Sequence, residues 1–206
     1  MLELLLIRHG QTDWNLGDRL MGRQAIPLNE KGRWQAGQLA TYLSQTTIDA
    51  LYTSPVLRAR ETADILMQGR DACPCTEVME LAEIDYGDLV GMPFAELRFK
   101  YAHEVQGFNE NPAGVSFPGG ESLLQASERV ALLLDRIRKN HPDGRVACVS
   151  HADVLKLALL SLLKLPLGSL RQFSIDNGAL VIVRFHPELG PRLICYAAMN
   201  GFGNDL

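Results

Sequence analysis

The sequence has little clustered positive charge: no run of consecutive lysines and arginines exceeds two residues, and the formal net charge of its 206 residues is −4. Nucleic acid and anionic membrane surfaces are therefore not expected as partners. Its most apolar stretch, VLKLALLSLLKLPL at 154–167, contains two lysines and is too short to span a bilayer. No basic segment precedes the first apolar run, as a secretory signal would require.

Cysteine is also scarce. The chain has four, and the pair Cys73 and Cys75 has no second pair near it, which a common type of zinc site would need. Cys148 lies within the apolar run RVACVS and is expected in the core. Without a signal segment or a disulfide framework, we expect a cytoplasmic protein with reduced thiols.

What is present is the composition of an ordinary globular protein, with 47% apolar and 21% charged residues. No linker or repeat divides the chain, so residues 1–206 are expected to form a single domain. Apolar runs of strand length alternate with helical patterns, which predicts an α/β sandwich with a largely parallel sheet. The expected strands are 2–7, 48–54, 145–150, 178–185 and 192–198, and the expected helices are 30–46, one opened by Pro55, 121–139 and 152–164.

Three local features refine this prediction. Asn29 is a plausible cap for the helix at 30–46, and Pro55 is expected at the first helical position, where a missing N–H costs nothing. The helix at 121–139 is amphipathic and is expected to bury Leu123, Ala126, Val130, Leu133 and Ile137. Residues 93–120 are rich in glycine, proline and aromatic residues and are expected to be irregular.

The expected strands end in residues suited to binding an anion. The first runs from LLLI into Arg8-His9-Gly10, the second ends at Ser54 with Arg58 soon after, and the third ends at Ser150-His151. In α/β sheets, ligands lie outside the carboxyl ends of the strands. If these ends converge, two arginines and two histidines share one pocket, and a compact dianion such as phosphate fits it.

Each of these residues also has an ordinary structural interpretation. Arg8 could pair with a surface carboxylate, Arg58 could be an unexceptional helix arginine, and the backbone could satisfy His151. Their common position after strands favours the binding interpretation, because chance would not place them all there. His103, His141 and His186 lack that position and are expected to be surface or structural residues.

The motifs LIRHGQTDWN, SPVLRARETA, GGES and VSHADVL, taken in this order, resemble those of the histidine phosphatase superfamily, the phosphoglycerate mutase-like proteins. The resemblance runs from residue 2 to about residue 185. It implies a three-layer α/β/α sandwich with a mixed, mostly parallel central sheet. The active site would lie at the carboxyl edge of that sheet.

The resemblance also implies roles for particular residues. His9 would be the nucleophile that becomes phosphorylated, and Glu83 of LAEIDYGD would donate and accept the proton. The phosphate-binding residues would be Arg8, Asn15, Arg58 and His151. Asparagine at position 15 is also a reasonable helix cap or turn residue.

The chemistry of these residues agrees with that assignment and requires no cofactor and no metal. Arginines stay charged at any relevant pH and can replace Mg²⁺ in stabilising the phosphoryl oxygens. His9 must be neutral to attack, with a carbonyl on its other nitrogen fixing the tautomer, whereas His151 would help best when protonated. Glu83 needs a raised pKa, which burial and neighbouring acids can supply; Asp85 and Asp88 are near in sequence.

The expected activity is hydrolysis of a small phosphomonoester, such as a phosphorylated metabolite. Transfer of the phosphoryl group as in a phosphoglycerate mutase is the first alternative. A site that also held a carboxylate should be more basic than the short segment 93–120, a lid-like insertion whose charges nearly cancel. A second alternative is a non-catalytic module that binds a phosphorylated ligand or a protein. The sequence leaves the oligomeric state open.

Overall fold

The computed structural model describes residues 1–70 and 73–199, and within them the strands form one sheet of six, in the order β3-β2-β4-β1-β5-β6. The strands are β1 (Leu2–Arg8), β2 (Ala50–Thr53), β3 (Cys75–Glu77), β4 (Gly144–Ser150), β5 (Leu180–His186) and β6 (Gly190–Ala197). Strands β1 to β4 pair with one another in parallel. Strand β5 is antiparallel to β1, and β6 is antiparallel to β5. The predicted mixed, mostly parallel sheet is confirmed.

Helices cover both faces of this sheet. They are α1 (Asp13–Leu16), α2 (Glu30–Tyr42), α3 (Leu57–Met67), α4 (Phe94–Lys100), α5 (Ala102–Glu110), α6 (Leu123–Asn140) and α7 (Ala152–Leu163). Short 3-10 turns lie at Met79–Leu81, Gly87–Leu89, Pro112–Gly114 and Leu167–Gln172. None of the helices in the described part of the chain is long and apolar enough to cross a lipid bilayer.

The alternation of side chains along β1 explains why its sequence is apolar throughout. Leu4 and Leu6 pack into the core that α6 and α7 cover, whereas Leu5 and Ile7 pack into the core beneath α2 and α3. A strand buried on both faces reads as a continuous apolar run, because successive side chains point to opposite sides. The predicted three-layer sandwich is therefore confirmed.

Two helix starts show how the sequence sets the boundaries. Asn29 caps α2 as predicted, with its side chain accepting a hydrogen bond from the Gly32 N–H at 2.9 Å. Ser122 caps α6 in a reciprocal arrangement with Gln125, their two bonds measuring 2.8 and 3.1 Å. All five side chains predicted to face the core from α6 are buried.

Three expectations were wrong. Helix α3 begins at Leu57 rather than at Pro55, because Ser54 Oγ accepts the Val56 N–H and holds that turn outside the helix. Strand β3 was not expected, since its three residues are exposed and carry no apolar pattern. The segment 93–120 is not irregular, because it contains α4 and α5, which begin after Pro93. Ion pairs within a helix, such as Lys100 with Glu96 in α4, contribute to their stability.

The ends of the three central strands meet at one edge, as the sequence predicts. Arg8 stands opposite Ser150, and Thr53 stands opposite Val149. Beyond the ladder, the His9 N–H donates to Ser150 O at 3.0 Å and the Ser54 N–H donates to Val149 O at 2.9 Å. The residues that follow each strand are thus held by main-chain hydrogen bonds.

The exit of β1 passes very close to the start of α2. A Cβ added at Gly10 would lie 2.3 Å from the carbonyl oxygen of Gly32, a backbone atom that cannot move aside alone. Residue 10 must therefore be glycine for the chain to follow this path. Gly37, on the same helix, would meet nothing within 4 Å.

We expect Gly10→Ala to lower the free energy of unfolding by about 2 kcal/mol, because the new methyl group overlaps backbone. Gly37→Ala should instead raise it by about 0.5–1 kcal/mol, since alanine loses less entropy than glycine within a helix. Urea denaturation of both variants measures the difference. Equal effects at the two positions would contradict the close approach.

Candidate active site

His9 lies immediately after β1, and hydrogen bonds hold both its N–H and its carbonyl group. Its carbonyl accepts from the Gly178 N–H at 3.0 Å and from Asn177 Nδ2 at 3.2 Å. The imidazole is 1% exposed, and its Nδ1 lies 2.7 Å from Gly10 O. Because a carbonyl oxygen only accepts, Nδ1 carries the proton and Nε2 keeps its lone pair. The carbonyl partner expected from the sequence is therefore present.

Arg58, in the first turn of α3, is fully buried and contacts both histidines. Its Nε donates to His9 Nε2 at 3.1 Å, and its Nη2 donates to His151 Nδ1 at 3.0 Å. The remaining donors reach the main-chain oxygens of Gly22, at 2.8 Å, and Gln24, at 3.1 Å. One guanidinium thus fixes the two imidazoles, whose ring centroids are 5.2 Å apart.

His151 is the N-cap residue of α7 and is fully buried. Since Nδ1 accepts from Arg58, the proton lies on Nε2, which donates to Ser54 Oγ at 2.8 Å. Burial, followed by the charge of Arg58, lowers the pKa of His151 well below its usual value. In this arrangement of side chains the ring is neutral, which is not the protonated form that would help phosphate binding best.

The same forces keep His9 neutral. Burial, then the charges of Arg58 and Arg8, lower the pKa of His9 well below its ordinary range. Burial also lowers the pKa of Arg58 to about 10, although the nearby carboxylate of Glu83 opposes this. At neutral pH the site therefore combines a cationic guanidinium with an unprotonated imidazole nitrogen.

Arg8 and Asn15 line the cavity above these residues. Arg8 Nη1 donates to Ile175 O at 2.6 Å, but its buried Nε has no hydrogen-bond partner within the described residues. A buried donor left without a partner is costly, and a bound anion would satisfy it. Asn15 Oδ1 accepts from the Thr12 N–H at 2.9 Å in a capping box of α1, which leaves the amide Nδ2 for the cavity.

Glu83 follows the 3-10 turn at Met79–Leu81, which Ser150 Oγ anchors through a 2.7 Å bond to Leu81 O. One carboxyl oxygen accepts from the Ile84 N–H at 2.9 Å, and the other lies 3.8 Å from His151 Nδ1. Burial, and then the charge of Asp153, raise the pKa of Glu83 to about 7. This carboxyl group can hold or release a proton near neutral pH.

Asp153 was missed by the sequence reasoning, which looked to Asp85 and Asp88 instead. Asp85 pairs with Arg23 at 3.4 Å and accepts from the Gly87 N–H at 3.1 Å, while Asp88 lies beside Gly119. The signal that could have found Asp153 is its spacing: two residues after His151, it enters the same pocket on the first turn of α7.

The cavity has a volume of about 430 Å³. Residues of α4, α5 and the turn that follows form much of its wall: Phe94, Leu97, Arg98, Glu104, Val105, Phe108, Asn109 and Phe117. Four further basic side chains line the cavity, namely Arg19, Arg98, Lys156 and Arg171, and three of them come from outside the segment 93–120. The acidic side chains Asp18, Glu104 and Asp153 line it as well.

All six predicted site residues belong to this region. His9, Arg58, His151 and Glu83 form one connected cluster, and Arg8, Asn15 and Glu83 face the cavity. His141 lies elsewhere, with its Nε2 3.0 Å from Tyr52 OH. Within residues 1–70 and 73–199, no group of three or more His, Cys, Asp or Glu side chains is placed to hold a metal ion.

Comparisons with known proteins agree with this arrangement. Residues 4–195 match the model of the histidine phosphatase superfamily (branch 1). The chain is 33% identical over 186 residues to phosphoserine phosphatase 1 of Hydrogenobacter thermophilus, covering 89% of this chain and 86% of the relative. It is 33% identical to phosphoglycerate mutase-like protein 4 of Arabidopsis thaliana, over 75% of this chain and 68% of that one. The solved structure of the alpha-ribazole phosphatase from Shigella flexneri superposes with a TM-score of 0.85 at 27% identity, covering 98% and 100% of the two chains.

Arg58→Ala should weaken the binding of phosphate or vanadate roughly 10- to 100-fold, because it removes charged hydrogen bonds to the anion. The matched control is Arg60→Ala, which removes a half-exposed arginine of the same helix that pairs with Glu77 at 3.4 Å. Titration calorimetry measures both. Unchanged affinity in a folded Arg58→Ala protein would contradict the role of this arginine.

Proposed function

The chain belongs to the histidine phosphatase superfamily, and we propose that it is a metal-independent phosphatase that hydrolyses a small phosphomonoester through a phosphohistidine at His9. The observation that carries the proposal is the state of His9. Its Nδ1 proton is fixed on a carbonyl, so its Nε2 carries a lone pair, and this lone pair accepts a hydrogen bond from the Arg58 guanidinium. Phosphoryl transfer needs mainly such positioning and charge stabilisation.

In the first step, His9 Nε2 attacks phosphorus, the N–P bond forms and the P–O bond to the leaving group breaks. Arg58 Nε occupies that lone pair before substrate binds, so its donors must turn to the phosphoryl oxygens for attack to occur. Arg8, with its unpartnered Nε, and the amide of Asn15 would bind the same oxygens. Protonated Glu83 gives its proton to the departing alkoxide.

In the second step, water attacks phosphohistidine. Ionised Glu83 accepts a proton from that water as the new O–P bond forms and the N–P bond breaks, which returns His9 to its neutral form and releases phosphate. A carboxyl group whose pKa is about 7 can serve as the acid in one step and the base in the next. No divalent ion enters either step, because arginines supply the positive charge.

The cavity supports a substrate larger than phosphate alone. Apolar side chains from 93–117 face the space where a leaving group would lie, so this segment would act as a lid-like insertion in a single domain of residues 1–206. One relative is named a phosphoserine phosphatase and one solved neighbour an alpha-ribazole phosphatase. Phosphoserine and α-ribazole phosphate should therefore be tested first as substrates, because both are small phosphorylated metabolites and their leaving groups differ.

A cytoplasmic location stays a prediction.

Mutase activity is the second candidate, and one observation favours keeping it. Arg19, Arg98, Lys156 and Arg171 line the cavity, and such cations suit a substrate with a carboxylate as well as a phosphate. A relative named phosphoglycerate mutase-like points the same way. Transfer of label from phosphohistidine to phosphoglycerate rather than to water would establish it. A module that binds without catalysis is disfavoured, since His9 and Glu83, the residues proposed as nucleophile and acid, lie in one cluster.

We expect brief exposure to substrate to leave an acid-labile, base-stable phosphoryl group on His9, with the rate unchanged by excess chelator. His9→Ala should abolish turnover, because no other group can form the intermediate. The matched control is His103→Ala, which alters an exposed histidine of α5. Mass spectrometry after an alkaline quench locates the adduct. An active His9→Ala enzyme, or a rate restored by one divalent ion, would contradict the proposal.

Glu83→Gln should lower turnover of an alkyl phosphate roughly 10²–10⁴-fold, because it removes general acid catalysis. It should slow nitrophenyl phosphate less, since nitrophenolate leaves without a proton, provided that formation of phosphohistidine limits the rate. Glu80→Gln is the control, because Glu80 lies one turn away and pairs with Arg136 at 2.8 Å. Rapid-quench kinetics compare the two substrates. Equal losses on both, with the first step limiting, would remove Glu83 from the role of acid.

A further inference from the structure

Asp153 is held at a fixed position beside the cavity. One carboxyl oxygen accepts from Tyr86 OH at 2.9 Å, and the other accepts from Lys156 Nζ at 3.0 Å. Both partners are themselves confined, since the Tyr86 ring packs edge-on against Phe117 at 4.9 Å and the Lys156 side chain is 12% exposed. Asp153, Tyr86, Lys156 and Glu83 all line the same cavity.

The charged groups that face the Glu83 carboxyl come from several elements. Arg8 of β1 and Arg58 of α3 are the cations, and Asp153 of α7 is the anion that acts on it. His151, at the start of α7, is neutral and lies 3.8 Å away. Tyr86, three residues after Glu83, is uncharged, because burial and then the charge of Asp153 raise the pKa of Tyr86 well above its usual value.

Two further arginines are close to Glu83 but act on its backbone. Arg23 Nε donates to Glu83 O at 3.0 Å, and Arg129 Nη2 donates to the same oxygen at 3.5 Å. Both also bind Glu121 Oε1, at 3.0 and 2.8 Å, and Arg23 pairs with Asp85 at 3.4 Å, so two carboxylates oppose the charges of these two arginines. Asp153 therefore opposes two cations that favour an ionised Glu83.

We propose that Asp153, fixed between Tyr86 and Lys156, is a positioning residue that keeps the proton on Glu83 until the leaving group takes it. This inference rests on the proposed function. Asp153 exchanges no proton itself. Its negative charge disfavours a second carboxylate nearby, so Glu83 enters the first step as the acid. After the proton has moved to the alkoxide, the same repulsion makes Glu83 a stronger base toward water.

A structural role for Asp153 must be separated from this one. An acidic residue in the first turn of a helix is favourable by itself, because it faces the positive end of the helix dipole. Loss of that effect would lower stability at every pH alike. Only a role through charge moves the pH at which Glu83 loses its proton.

The test is the pH profile of kcat/KM for an alkyl phosphate, which reports groups of the free enzyme. Activity should fall at high pH as Glu83 ionises. Asp153→Asn keeps an acceptor for Tyr86 but removes the charge, so the midpoint of that fall should move down by about one pH unit. Lys156→Met removes the cation that compensates Asp153, so the midpoint should move up. Ionisation of the substrate is common to all variants and cancels.

Asp135→Asn is the matched control, since Asp135 is an exposed acid of α6 that pairs with Arg138 at 3.7 Å; the midpoint for this variant should not move. A ¹³C titration of the Glu83 carboxyl by NMR measures the same shifts without turnover, which separates the two proposals. If the wild-type enzyme is inactive but the Glu83 titration shifts as expected in the variants, the proposed function is wrong and the inference about Asp153 stands. Unshifted titrations, or shifts of the same sign in Asp153→Asn and Lys156→Met, would overturn the inference.

Discussion

The site depends on one buried cation. The guanidinium of Arg58 donates to His9, to His151 and to two main-chain oxygens of the loop before α2, and none of its surface reaches water. Burying such a charge is expensive unless hydrogen bonds satisfy its donors. Here its partners are neutral acceptors rather than a paired carboxylate, so most of its charge stays available to an anion that enters the cavity.

Burial is the first cause of several pKa shifts in this site. Both imidazoles are buried beside Arg58 and stay neutral, while the carboxyl of Glu83 is buried beside another acid and keeps a proton to about pH 7. A chain with a net charge of −4 thus encloses a positive centre. Substrates with two negative charges gain most from it, because the field is strongest where water is excluded.

The strand exits were predictable because they obey strong rules: apolar runs mark buried strands, and parallel strands bring their carboxyl ends to one edge. His9, Arg58 and His151 were found in this way. Asp153 was not, since nothing in its local sequence shows that Tyr86, 67 positions earlier, would meet it. Helices α4 and α5 were also missed, because glycine, proline and aromatic content outweighed a weak helical pattern. Long-range packing decides such segments, and a single sequence does not display it.

The main chain of Glu83 is held by a network that uses no residue of the cavity wall. Arg23 and Arg129 bind its carbonyl oxygen and share Glu121, which also accepts the Asp85 N–H at 2.9 Å. The conformational entropy of the Glu83 main chain is therefore lost during folding, and substrate binding does not have to reduce it further. It follows that the side chains of α4 and α5 that face the cavity can change while proton transfer is preserved. In such a scaffold, leaving-group preference and reaction chemistry can evolve independently.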